Sequence, residues 1–162
     1  MKDQIQSYFS AEKIEGLAGT LAGICAIGLS IYLWVKASPY RGMAFPLVLV
    51  GLIQIGVFGT VFLRTDKQVT ELTAQLATSP SDFKAKEIPR MEGVMRNVRT
   101  YKVIEIAILL GGILMTFLWR EKNMVYSAGI GCILQGSLML VADLLAEHRG
   151  EEYLRPLRAL VV

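Results

Sequence analysis

Charged positions are segregated along this chain. Four stretches contain no Asp, Glu, Lys or Arg: Gly16 to Val35, Gly42 to Leu63, Ile106 to Trp119 and Asn123 to Ala142, of 20, 22, 14 and 20 residues. The 17 basic and 14 acidic side chains all lie outside those 76 residues. A helix in a soluble bundle keeps a wet face and returns a charge every turn or two, whereas a helix apolar all round belongs in lipid or in the centre of a large protein. About 20 mostly apolar residues cross the hydrocarbon core, a length that the first, second and fourth stretches reach unaided. The third reaches 19 residues only by starting at Tyr101, which brings Lys102 and Glu105 into the span. Lys102 can snorkel to the headgroups; Glu105 is shorter and sits about one turn deeper.

This pattern predicts an all-α integral membrane four-helix bundle with spans at about 14–35, 42–63, 101–119 and 124–146. The segment 64–100 also reads as helical. Thr65 followed by Gln68 resembles a capping box, and Val69, Leu72 and Leu76 recur at helical spacing. Ser79-Pro80-Ser81-Asp82 marks a turn with a helix start inside it. Pro89 suits a first-turn position, and Met91, Val94, Met95 and Val98 form an apolar stripe leading into the third span. A helix from Pro89 to Trp119 would be roughly 46 Å long against a core of about 30 Å. Transmembrane helices 2 and 3 are therefore expected to extend as an antiparallel cytoplasmic hairpin, with 147–162 as a cytoplasmic tail whose Tyr153, Leu154, Leu157 and Leu160 give it an apolar side.

Basic residues orient the chain. Thirteen lie in the N-terminal tail, the central segment and the C-terminal tail, against four (Lys36, Arg41, Arg120 and Lys122) on the opposite side. The positive-inside rule then places both termini and the central segment in the cytoplasm, in an inner (plasma) membrane, with Trp34, Tyr40, Trp119 and Tyr126 at the outer interface. The net charge of +3 follows from this orientation, and no basic helix or aromatic-basic motif points to nucleic acid.

Composition narrows the class further. A chain of 162 residues with 53% hydrophobic content and a mean hydropathy of +0.46 has room for one domain and is not collagen-like, disordered or a disulfide scaffold. Cys25 and Cys132 lie within apolar stretches and read as small hydrophobes. No small-residue cleavage pattern ends the first stretch, which is read as a retained span. A partial repeat links Lys13-Ile14-Glu15 with Lys102 and Ile104-Glu105, Leu33-Trp34 with Leu118-Trp119, and Gly51, Gln54 and Gly56 with Gly131, Gln135 and Gly136. The intervals from Glu to Trp, 19 and 14 residues, align only with a gap.

Candidate chemistry gathers at the cytoplasmic mouth. Ionisable residues within spans are functional hypotheses because an acid at a helix centre costs about 2.5 to 3.5 kcal/mol to insert. Glu105 and Asp143 lie roughly 21 and 25 Å inward from Trp119 and Tyr126 at 1.5 Å per residue. Arg99, Tyr101, Lys102, Arg64 and Glu15 fall at similar depth. Two readings follow: interhelical ion pairs joining the carboxylates to Arg99, Lys102 or Arg64, or a pocket for an amphiphile or small anion gripped by Arg99 and Lys102. Gln54 and Gln135 fall near mid-bilayer, where their amides are expected to find partners on another helix or to line a hydrated cavity. Gly19 and Gly23 allow close helix packing.

His148 is the only histidine, and no di-iron Glu-x-x-His pair, phosphate loop, nucleophile elbow or Cys/His triad is present. No catalytic residue, metal site or cofactor is expected. The leading expectation is a non-catalytic inner-membrane binding or interaction protein, in contact with the lipid bilayer and meeting a protein partner or a second copy of itself through its cytoplasmic helices. The alternative is a transporter or membrane enzyme using the charged pocket.

Overall fold

A computed structural model describes residues 1–160. Four long helices carry the chain: α1 (Lys2–Val35), α2 (Ala44–Thr78), α3 (Pro80–Leu118) and α4 (Asn123–Ala159), with a 3-10 turn at Arg41–Met43 and no strand among the described residues. Each of the four is long and apolar enough to cross a membrane. They pack as two hairpins, α1 along α2 and α3 along α4, while α2 and α3 touch sparingly despite being joined by the single residue Ser79.

The extension beyond the uncharged stretches belongs to all four helices, where the sequence assigned it to two. α1 begins 14 residues before Gly16, and α4 runs unbroken through the segment expected to be a tail. At 34 to 39 residues the helices are roughly 50 to 60 Å long. α3 starts at Pro80, which supplies a helical φ at its first turn and needs no amide partner there, so Pro89 lies inside the helix instead of opening it. Thr65 does not cap: its hydroxyl donates to the Val61 carbonyl at 2.6 Å in the middle of α2. Thr65 is buried and Pro89 exposed, and neither interrupts its helix.

The interior changes character along the bundle axis. Within the uncharged stretches most buried residues are small or polar (Ala26, Ser30, Ala44, Gln54, Ser127 and Gln135), with Leu33 and Leu47 as the buried large apolar side chains, while others such as Leu49, Ile53, Leu114 and Phe117 face outward. Toward the basic end the arrangement inverts. Ile5, Phe9, Phe83, Met91, Met95, Tyr153, Leu154 and Leu157 form one buried cluster, with Val69, Leu72 and Leu76 of α2 packed against it. All four helices thus contribute to an apolar core there. The stripes on α3 and the C-terminal segment are mostly buried in this core, and that of α2 packs against it half-buried.

Glycines set the helix crossings. A Cβ on Gly23 of α1 would lie 2.7 Å from the Gly51 carbonyl oxygen of α2, and one on Gly112 of α3 would lie 2.8 Å from that of Gly129 on α4. Each hairpin therefore crosses at a pair of facing glycines, where backbones meet closely. The two hairpins are tied at depth by Gln54, whose Nε2 donates to Gln135 Oε1 at 3.1 Å and to Met139 Sδ at 3.3 Å. Such a bond between helices in an apolar setting is worth about 0.6 to 2 kcal/mol. Gln54→Leu is expected to lower the detergent unfolding midpoint because it strands Gln135; Gln54→Leu with Gln135→Leu should recover part of the loss. A double variant less stable than the single one would exclude the pairing as the cause.

Candidate functional site

The seven charged-mouth residues singled out from the sequence do not converge on one cavity. A belt of ion pairs takes up several of them. Glu15 of α1 pairs with Arg149 of α4, Arg64 of α2 approaches Glu12 of α1 at 3.9 Å, and Lys13 of α1 meets Asp66 of α2 at 2.6 Å. Lys102 of α3 pairs with Glu147 of α4, which also lies 3.7 Å from the Arg99 guanidinium. This belt girds the bundle where its interior changes from small and polar to large and apolar. Tyr101 is exposed among apolar neighbours on α3.

Glu105 and Asp143 lie near each other across the α3–α4 interface, one turn inside the belt. Neither Arg99 nor Arg64 pairs with them, and Lys102 donates to Glu147 instead. Glu105 is 6% exposed, and one oxygen of each carboxyl group has no partner. Geometry accounts for the exchange of partners: Glu147 lies one helical turn beyond Asp143, at the depth a snorkelling lysine reaches.

A second polar cluster, absent from the sequence reading, lies inside the basic-end core. Glu87 of α3 is 2% exposed. Its Oε2 accepts from Arg90 Nε at 2.7 Å, and its Oε1 accepts from an Arg90 terminal nitrogen at 2.6 Å and from the Tyr153 hydroxyl of α4 at 3.1 Å. The Arg90 guanidinium lies 5.7 Å from the centroid of the Phe9 ring, and Tyr8 stacks on Tyr153 at 4.8 Å. Burial disfavours the Arg90 cation, but the Glu87 hydrogen bonds and the Glu87 charge together outweigh it and hold the guanidinium above its ordinary pKa. The only local signal was the Glu87–Arg90 spacing of three residues, common on exposed helix faces as well.

Burial, reinforced by Glu12, pushes the Tyr8 phenol up to about 12. Burial and then Glu87 push Tyr153 up also. A phenol whose folded-state pKa exceeds its unfolded value of about 10 contributes stability that is complete below pH 10 and lost as pH rises through the folded value. Far-UV melts are therefore expected to fall steeply between pH 10 and 12, and to fall less in the Tyr8→Phe/Tyr153→Phe double variant. An unchanged alkaline limb in that variant would assign the loss elsewhere.

On the outer side of α3 and α4 at the basic end lies an open groove of about 1010 Å³. Arg99 lines it, together with Arg96, Arg155 and Arg158; the other six mouth residues do not. The described residues hold no cluster of three or more His, Cys, Asp or Glu side chains placed to bind a metal ion.

The fold defines an all-helical protein with four helices able to span a membrane and a folded, charged end. No family model, curated protein or solved structure matches the chain.

Proposed function

We propose that the chain is a non-catalytic, multi-pass protein of the inner membrane that acts by binding at its basic end, with that end and both termini in the cytoplasm. The observation that carries this reading is the inversion of the interior. Large apolar side chains mostly outside and a mostly small or polar interior, Leu33 and Leu47 apart, suit lipid, where water drives no helix association; the reverse order suits water. The change falls at the belt of ion pairs, and the 13 basic residues lie in that belt or beyond it toward the basic end. Because the apolar stripes pack on the chain's own core, the face offered to a protein partner or a second copy is the charged exterior of the four-helix end.

Orientation and binding are tested together. In a Cys25→Ala/Cys132→Ala background, Lys86→Cys should react with a membrane-impermeant maleimide in inside-out vesicles and not in sealed right-side-out ones. A photocrosslinking residue at Lys67 or Glu71, both exposed, should capture a protein neighbour. Labelling from the outside, or a monomer with no protein crosslink, would overturn the corresponding half of the reading. A second reading, in which the basic end handles an amphiphile or small anion for transport or transfer, is favoured by the arginine-lined groove.

A further inference from the structure

The groove on α3 and α4 joins two unlike surfaces. Arg96, Arg99, Arg155 and Arg158 line its part farther from the spans, and only two carboxylates, Glu92 and Glu151, line it with them. Arg158 is held by Glu92 at 2.8 Å, and Arg99 shares Glu147 with Lys102. Arg96 and Arg155 have no acidic partner among the described residues. Toward the spans the lining turns apolar, through Val103 and Ile104, which are 67% and 51% exposed beside the uncharged stretch of α3.

From this continuity we propose that the groove seats an anionic phospholipid of the surrounding leaflet. Its phosphate lies between Arg96 and Arg155, and an acyl chain lies along Val103 and Ile104. Guanidinium groups are suited to the phosphate because their planar forks donate two parallel hydrogen bonds to its oxygens. The ligand is a lipid rather than a free anion for two reasons. A volume of about 1010 Å³ far exceeds a phosphate, and the exposed apolar wall lies where a lipid tail would be. The cytoplasmic leaflet, where the proposed orientation puts the groove, is the anionic one. The inference rests on that orientation and deepens the binding role by naming a ligand class.

The test uses the full chain in neutral detergent micelles, titrated with tail-labelled phosphatidylglycerol and with phosphatidylcholine bearing the same tails. Phosphatidylglycerol should saturate at one per chain, and phosphatidylcholine should show no saturable binding. Arg96→Ala/Arg155→Ala should weaken phosphatidylglycerol about thirtyfold, from two lost cations near a phosphate. Both side chains are exposed, so the helices should keep their circular dichroism. Arg41→Ala/Arg120→Ala, at the opposite end, should bind as the parent does. Equal binding of the two lipids, or an unaffected Arg96→Ala/Arg155→Ala variant, would overturn the proposal. Displacement by millimolar inorganic phosphate as effective as by unlabelled phosphatidylglycerol would also overturn it, making the groove a free-anion site. The maleimide experiment is independent of this titration, so a failed lipid site and a failed orientation are distinguishable.

Discussion

Glu87→Ala is expected to destabilise the basic end by about 3 kcal/mol, because removing one partner of a buried ion pair leaves the other uncompensated. Three contacts end at this carboxylate: two from Arg90 and one from the Tyr153 hydroxyl. Arg90 is 32% exposed at its side chain and retains some water, which keeps the loss toward the lower end of the range for buried pairs. Tyr153, at 3% exposure, has no such relief. Hydrogen exchange read by mass spectrometry is the appropriate measurement, because Trp34 and Trp119 both lie at the far end of the bundle and fluorescence would miss a local opening. Amides of residues 80–95 and 148–158 should lose protection, and those around Gly112 and Gly129 should not. Glu87→Gln should lose less, since its amide still accepts one of the bonds. Unchanged protection in Glu87→Ala would mean that the cluster contributes nothing to holding α3 against α4.

Gly129→Leu is expected to lower stability by at least the 1 to 3 kcal/mol typical of overpacking. A Cβ there would lie 2.7 Å from the Gly112 carbonyl oxygen, with Met115 and Thr116 closing the other sides. The nearest atom is backbone, so relief requires α3 and α4 to move apart, and the Glu105–Asp143 contact lies in the same interface. The same protein supplies its own control: Cβ atoms on Gly28, Gly56 and Gly111 would meet nothing within 4 Å. Alanine at those three positions should be neutral or stabilising by up to about 1 kcal/mol through helix propensity alone. Thermal unfolding in detergent checks both. Equal midpoints for Gly129→Leu and Gly111→Ala would contradict the crossing geometry.

The sequence disclosed the parts of the candidate site that depend on depth. Counting residues inward placed Glu105, Asp143, Lys102 and Glu15 at one level, and the structure has them at or beside one belt. Which of them touch was illegible, because depth along an axis leaves rotation about each helix undetermined. Lys102 could reach Glu105 on its own helix or Glu147 on the next, and only the packing angle between α3 and α4 selects Glu147. Ile5 and Phe9 were missed for a different reason. Two apolar residues four apart in a charged N-terminal segment make too short a stripe to announce a buried face, and their importance comes from Phe83 and Tyr153, more than 70 positions away.

Sequence by itself determined that the chain is helical, where its four apolar stretches lie, and at which end of the helices its charge accumulates. These are one-dimensional properties: a helix fixes 1.5 Å per residue, and an uncharged run of about 20 residues has few other places to go. Tertiary structure decided that four helices rather than two extend beyond those stretches, that the apolar stripes close on one another, and that Glu87, Arg90 and Tyr153 form a buried cluster. It also placed Arg96 and Arg155, without an ion-pair partner among the described residues, beside an exposed apolar wall. Those outcomes depend on which faces meet, and a face acquires its partner only when all four helices have docked.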